Sequence, residues 1–272
     1  MKKRMVYLLV LAALALAACT PAAATEAPSV GTGTEGLPDL GGREVTVAVE
    51  NAYIPFNYID AATGDPAGWD YEVWDEICRL LNCVPVYTEA AWEGMIQAVA
   101  DGQFDVAADG ITITAERDQI VDFSDGYQNL DQRLMVRKDE TRISAIEDIV
   151  NDADLKLGTQ TGTTNYLTAA KYLPEDRISA FEQFPFAVQA LIAGEIDAVI
   201  IDETAGQGYL GENADQVKLV GPSLSSDELG FVFPPGSDLT AQVNLALKAM
   251  TASGFMDQVN GKYFPPGSSF AP

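Results

Sequence analysis

Arg117 and Asp202 are the side chains whose neighbours best equip them to bind opposite charges. Arg117 closes the stretch Phe104 to Arg117, FDVAADGITITAER, in which Phe104, Val106 and Ala108 alternate with Asp105, Ala107 and Asp109 as in a strand. Gly110 then breaks the run, and Thr112 and Thr114 open the next element. A threonine-rich strand end offers backbone N–H groups and hydroxyls beside a guanidinium, a combination suited to gripping a carboxylate bidentately. The plainer use of Arg117 is a surface ion pair with Glu116 or Asp118. Asp202 follows the wholly apolar run Ala198 to Ile201, so its carboxylate meets a strand mouth where burial is costly unless a cation joins it. Its plainer use is a structural salt bridge. The chain has no histidine, which excludes a Ser-His-Asp triad and disfavours structural zinc. No metal and no cofactor is expected.

The elements that must carry these groups are written twice. Gln97-Ala-Val-Ala-Asp-Gly102-Gln-Phe-Asp105-Val-Ala recurs as Gln189-Ala-Leu-Ile-Ala-Gly194-Glu-Ile-Asp197-Ala-Val. Each copy reads as an amphipathic helix stopped by a glycine, then a short strand beginning at Asp, the repeating unit of an α/β layer. An earlier strand precedes each copy: Val45 to Glu50 before Tyr53, and Leu155 to Gln160 before Gly162, Thr163 and Thr164. In open parallel sheets ligands collect outside the carboxyl ends of strands. Four strand ends therefore supply the candidates: Glu50 with Tyr53, Asp109 to Thr112, Thr163 with Thr164, and Asp202 with Glu203.

Lys2, Lys3 and Arg4 precede an apolar run from Met5 to Ala18, and Leu16-Ala17-Ala18-Cys19 closes it as a lipobox. Residues 1–18 therefore read as a lipoprotein signal peptide and Cys19 as the acylated residue, each buried CH₂ of its acyl chains adding roughly 0.8 kcal/mol of membrane affinity. An ordinary signal peptide that merely contains a cysteine is the other reading. Residues 19–42, rich in Ala, Thr, Gly and Pro, read as a flexible tether. The chain is thus expected to be exported and held on the outer face of the cytoplasmic membrane. A formal charge of −24, from 16 basic and 40 acidic residues, argues against nucleic acid as a partner. Cys78 and Cys83 flank the end of a helical stretch from Tyr71 to Leu81, as a local disulfide or as two free, half-buried thiols.

Five blocks together resemble the amino-acid-binding proteins of ABC importers, solute-binding family 3. They are VAVENAYIPF at 47–56, GWDYEVWDEI at 68–77, AWEGMIQAVADGQFDVAADGITITAERDQIVDFSDGY at 91–127, GTQTGTT at 158–164 and AGEIDAVIIDE at 193–203. The resemblance implies an α/β, two-lobe periplasmic-binding-protein fold of type II, each lobe a mixed sheet flanked by helices, joined by a two-crossing hinge. Residues 43–130 plus 221–272 would form lobe 1 and 131–220 lobe 2, with crossings near Tyr127 to Arg133 and Lys218 to Pro222. It implies that Arg117 grips a ligand α-carboxylate with N–H groups at Thr112, Thr163 and Thr164. Asp202 would hold the α-ammonium with the Gly110 carbonyl and the Thr112 hydroxyl. Tyr53 and Trp92 match positions that sandwich the ligand side chain, and Glu50 and Asp109 match its far end. Many relatives carry a small neutral residue at the position of Asp109.

Two carboxylates beneath an aromatic pair suit a guanidinium or ammonium, with cation–π contact adding about 0.5–2 kcal/mol. The expected ligand is a free basic L-amino acid, arginine before lysine or ornithine, delivered to the transmembrane subunits of an ABC permease. Trp92 as a core residue, and Asp109 paired with Arg117 or capping a turn, are the structural alternatives. Two other functions stay open: a sensor that binds an amino acid without transport, and a cyclohexadienyl-dehydratase-like enzyme using Glu50 and Asp109 as acid and base. A monomer is the default, since no self-complementary surface is legible.

Overall fold

A computed structural model describes residues 36–264. The leader, Cys19 and the start of the tether lie outside the described residues. The end of the tether is docked rather than free: Leu40 and Gly42 donate backbone hydrogen bonds to Leu81 O and Asn82 O, each at 2.8 Å, and Leu37 and Leu40 pack on the core. Two leucines among small residues give this short piece enough apolar area to be held.

Along the chain, β1 (Arg43–Val49) leads to the short strands β2 (Ala52–Tyr53), β3 (Asn57–Ile59) and β4 (Pro66–Ala67). Helix α1 (Trp69–Leu81) follows because Trp69, Val73, Trp74, Ile77, Leu80 and Leu81 recur at helical spacing, and all six are buried. It ends at Asn82, whose left-handed backbone (φ 54°) turns the chain so that Cys78 and Cys83 come together and are joined by a disulfide. Next come β5 (Cys83–Glu89), α2 (Trp92–Ala100), β6 (Val106–Ala107), β7 (Asp122–Phe123) and the long β8 (Gln128–Arg137). The second half contributes α3 (Ile146–Asn151), β9 (Leu157–Gln160), α4 (Thr164–Tyr172), β10 (Ile178–Phe181) and α5 (Phe184–Ala193). After these come β11 (Ala198–Asp202), α6 (Glu203–Asn213) and β12 (Val217–Leu229). The chain then returns through β13 (Val232–Phe233) to α7 (Asp238–Ser253) and α8 (Phe255–Tyr263).

Two mixed five-stranded sheets result, ordered β5-β1-β6-β13-β7 and β10-β9-β11-β8-β12, with β2, β3 and β4 as a small antiparallel third. In each large sheet the central strands are parallel and the returning strands antiparallel, as β1 on β5 and β6 against β13 on β7, or β9 on β10 and β11 against β8 on β12. The repeat seen in the sequence has a structural meaning. Asp105 Oδ2 accepts the Thr46 N–H at 2.8 Å, and Asp197 Oδ2 accepts the Lys156 N–H at 3.0 Å, so each copy's aspartate braces the neighbouring strand of its own sheet.

One expectation changes. The alternation read over Phe104 to Asp109 shortens to two paired residues, and Val106, Ala107 and Ala108 are all fully buried. A central parallel strand is covered on both faces, so period two carries no side information there. Lys218 to Pro222, the expected second crossing, lies inside one long strand. Lys218 to Val220 still pair with Val136 to Leu134, the ladder is interrupted at Gly221 and Pro222, and Ser225 to Leu229 resume pairing with Gln132 to Gln128. Pro222 interrupts the strand without ending it, because a residue at a bulge needs no ladder N–H.

Candidate functional site

The mouths of β1, β6, β9 and β11 open onto one cavity of about 320 Å³, counted out to its open mouth. Its wall includes all ten residues expected from the sequence: Glu50, Tyr53, Trp92, Asp109, Gly110, Thr112, Arg117, Thr163, Thr164 and Asp202.

At one end Arg117 is half-buried, and its Nη1 donates to Thr112 O at 2.8 Å. The guanidinium carbon lies 5.3 Å from the centre of the Trp92 ring. No ion pair joins Arg117 to Glu116 or Asp118 among the described residues, so the surface-pair alternative is set aside. Burial pushes the guanidinium down to about 10, which leaves it cationic at neutral pH. Opposite it, Thr163 caps α4: its hydroxyl accepts from Tyr166 N at 3.2 Å and donates to Gln160 O at 2.7 Å. Thr164 Oγ1 lies 3.3 Å from Thr112 Oγ1 and accepts from Gln132 Nε2 at 3.0 Å. The positive end of a helix thus joins the guanidinium, an arrangement for an anion.

Asp202, at the end of β11, accepts from the Tyr53 hydroxyl and from Asn165 Nδ2, the latter at 2.9 Å. Burial pushes its carboxyl up to about 6, against the pull of those two donors. Tyr53 stacks on Phe56 at 5.2 Å and on Phe184 at 5.7 Å, so this expected wall of a side-chain sandwich also has protein neighbours. Gly110 makes the approach possible: with φ 55°, a Cβ there would lie 2.5 Å from Tyr53 Cε1. Trp92 is nearly buried within a cluster with Met95 and Ile111 while still lining the cavity, which merges the core and site readings.

Glu50 and Asp109, both 4% exposed, form the other end. Glu50 Oε1 accepts from Gln160 Nε2 at 2.8 Å, and further donors are the Gln183 side chain and the Trp92 N–H. Asp109 makes no ion pair with Arg117; its Oδ1 accepts from Asn57 Nδ2 at 2.7 Å, and the Glu50 backbone N–H at the end of β1 is a further donor. Burial pushes Glu50 up to about 7, and burial followed by the charge of Glu50 holds Asp109 well above the usual carboxylate range.

Sequence reasoning missed Gln160, Asn165 and Phe184 on the wall, and Asn57 and Asp70 behind it. Gln160 ends β9 and was reachable by the strand-end rule that produced Glu50. Asp70 falls at helical spacing with Trp74, Ile77 and Leu81, a carboxyl on an apolar stripe. Phe184 gave no signal, since an apolar residue opening a helix reads as core. No group of side chains suited to a metal ion occurs among the described residues, and no helix there is long and apolar enough to cross a membrane.

Residues 45–266 match the family model of bacterial extracellular solute-binding proteins, family 3. A probable histidine-binding protein of Neisseria gonorrhoeae is 28% identical over 97% of this chain and 96% of its own. The L-cystine-binding protein of Bacillus subtilis (strain 168) is 30% identical over 81% of each chain. Among solved structures, the arginine-, lysine-, histidine-binding protein of the thermophilic bacterium Geobacillus stearothermophilus superposes with a TM-score of 0.76 at 27% identity, covering 82% of this chain and 95% of that one.

Proposed function

The chain belongs to the bacterial extracellular solute-binding proteins, family 3, and from that premise we propose that it captures a basic L-amino acid, arginine or lysine, and delivers it to an ABC permease. The observation that carries this reading is the division of charge in one cavity. Arg117 and the first turn of α4 offer a carboxylate site, Asp202 an ammonium site beside it, and Glu50 with Asp109 an acidic far end. The wall is shared between the two large sheets: β1, β6 and Arg117 bring one set, β9, α4, α5 and β11 the other. A zwitterion therefore bridges the sheets, and each charge-assisted hydrogen bond it makes is worth roughly 1.5–3 kcal/mol toward closure.

Glu50, Tyr53, Trp92, Asp109, Gly110, Thr112, Arg117, Thr163, Thr164 and Asp202 are the proposed ligand contacts. The lobes are proposed as 43–130 plus 221–272, and 131–220. The charged leader and the lipobox ending at Cys19 support export and an acyl anchor that keeps the protein beside the permease. No catalytic step is required of these residues.

The test is a thermal-shift panel on the chain from Thr20 onward, refolded to strip ligand, against each common amino acid and prephenate. Ligand at a hundred times its dissociation constant contributes about 2.7 kcal/mol, a rise of several degrees in a chain of this size. A selective rise with arginine or lysine is the expected result. A rise with neutral amino acids alone overturns the basic specificity, and a response to prephenate alone overturns the binding-protein reading in favour of an enzyme.

A further inference from the structure

We propose that Asp70 and Asp109, joined behind the cavity wall through the Asn57 amide, form with Glu50 on the wall a buried acid cluster that gives up a proton when a cationic side chain enters. The charge selectivity of the cleft then depends on pH. This deepens the reading of a basic ligand and rests on it.

Asp70 and Asn57 are fully buried. The Asn57 carboxamide is fixed in orientation because its Oδ1 accepts the Asn51 N–H at 2.7 Å. Its Nδ2 therefore faces two carboxyls at once, Asp109 Oδ1 at 2.7 Å and Asp70 Oδ2 at 2.9 Å. The remaining oxygen, Asp70 Oδ1, is buried with no hydrogen-bond partner. An ionised carboxylate with one bare oxygen in the core is far costlier than a neutral carboxyl in the same place. None of the ion pairs among the described residues involves Glu50, Asp70 or Asp109.

The groups that face this cluster supply no countercharge. Tyr71, Tyr87 and Tyr127 feel the charge of Asp70, and Tyr53, Tyr71 and Tyr127 that of Asp109. All four phenols are pushed up, first by burial, and stay neutral. Glu89 adds a further acid beyond Asn51, accepting from its Nδ2 at 3.1 Å. Arg117 is tied electrostatically to Glu116, Asp202 and Asp227 at the opposite end. Burial pushes Asp70, like Glu50, up to about 7, which agrees with the geometry. With no histidine in the chain, carboxyls are the groups left to titrate near neutral pH in this cavity.

A guanidinium or ammonium brought in by a ligand supplies the missing positive charge. One carboxyl O–H then breaks, its proton passes to bulk buffer, and the carboxylate pairs with the ligand, so one positive charge enters as one leaves. A neutral amide side chain leaves the O–H in place as a donor. Affinity for a basic ligand therefore rises with pH, by up to about tenfold per pH unit for each proton released, whereas affinity for glutamine does not.

The test is calorimetric titration of the mature protein with arginine, lysine and glutamine at pH 6, where the acid cluster is protonated, in phosphate and in bis-Tris, whose ionisation heats differ. About one proton released per arginine is expected, and none with glutamine. Asp70→Asn and Asp109→Asn should each lower the count. Infrared spectra of the empty protein at neutral pH should contain a protonated-carboxyl stretch that Asp70→Asn diminishes, and absence of that band overturns the proposal. Arginine heat that is independent of buffer overturns the proposal and leaves the ligand reading intact. No heat from arginine or lysine overturns the ligand reading and the proposal with it.

Discussion

Asp70→Asn should stabilise the ligand-free protein at alkaline pH far more than at acidic pH. In the fold, burial raises the Asp70 carboxyl from 3.8 to about 7. A carboxyl raised on folding contributes stability that is fully present below its unfolded value and is lost as pH climbs through the folded value. Between pH 4.5 and pH 8 the folded group gives up a proton that the unfolded chain has mostly lost already. At about 1.4 kcal/mol per pH unit, the parent loses about 3 kcal/mol over this span through Asp70 alone. Asn carries no such dependence and keeps an oxygen for Asn57. The advantage of the variant at pH 8 should thus exceed its advantage at pH 4.5 by about 3 kcal/mol, or about 6–12 °C in melting temperature for a chain this long. The difference between the two conditions cancels any fixed cost of burying the new amide. Thermal melts followed by circular dichroism at both pH values measure it. An equal shift at both, or a loss confined to pH 8, would mean that Asp70 is ionised and compensated, and the reasoning from its bare oxygen would fail.

Arg117→Ala should weaken ligand binding by at least a hundredfold in calorimetry, since roughly two charge-assisted hydrogen bonds disappear from a half-buried site. Gly110→Ala, at φ 55° with Tyr53 Cε1 2.5 Å from the new methyl, should cost about 2 kcal/mol and loosen the Tyr53 contact with Asp202, read as lower melting temperature and weaker binding together. Gln160→Leu removes the donor that reaches Glu50 and the Glu182 carbonyl; binding of basic ligands should shift to higher pH, measured from the pH profile of the dissociation constant. Replacing Cys78 and Cys83 by Ser opens a loop of sequence separation 5 and should cost about 2 kcal/mol, read from urea unfolding.

What was legible in the chain was mostly where strands end. Glu50, Asp109 and Asp202 could be placed at one site because a strand end in a parallel sheet is a position that topology, not packing, determines. What escaped depended on the third dimension. Asn57 and Asp109 are paired across 52 positions in sequence, and no local pattern reports such a contact. The bulge after Val220 escaped because Pro222 reads as a stop, and only the resumed pairing of Ser225 with Gln132 reveals that the strand continues. Asp70 is the instructive miss: its place on the apolar stripe of α1 was visible as a period, yet its meaning depended on the buried amide facing it.

The two connections between the sheets are hydrogen-bonded to each other, residues 128–132 against 225–229, and Gln132 within them also reaches Asp227 at 3.2 Å and Thr164 at 3.0 Å. Two separate linkers would allow the halves to slide, shear or drift apart. A laced ribbon forbids sliding, since any offset breaks its ladder bonds in register, and leaves bending and twisting as the soft directions. On the proposed function it would work as a leaf spring, with the two halves of the charged cavity meeting along one arc and in one alignment.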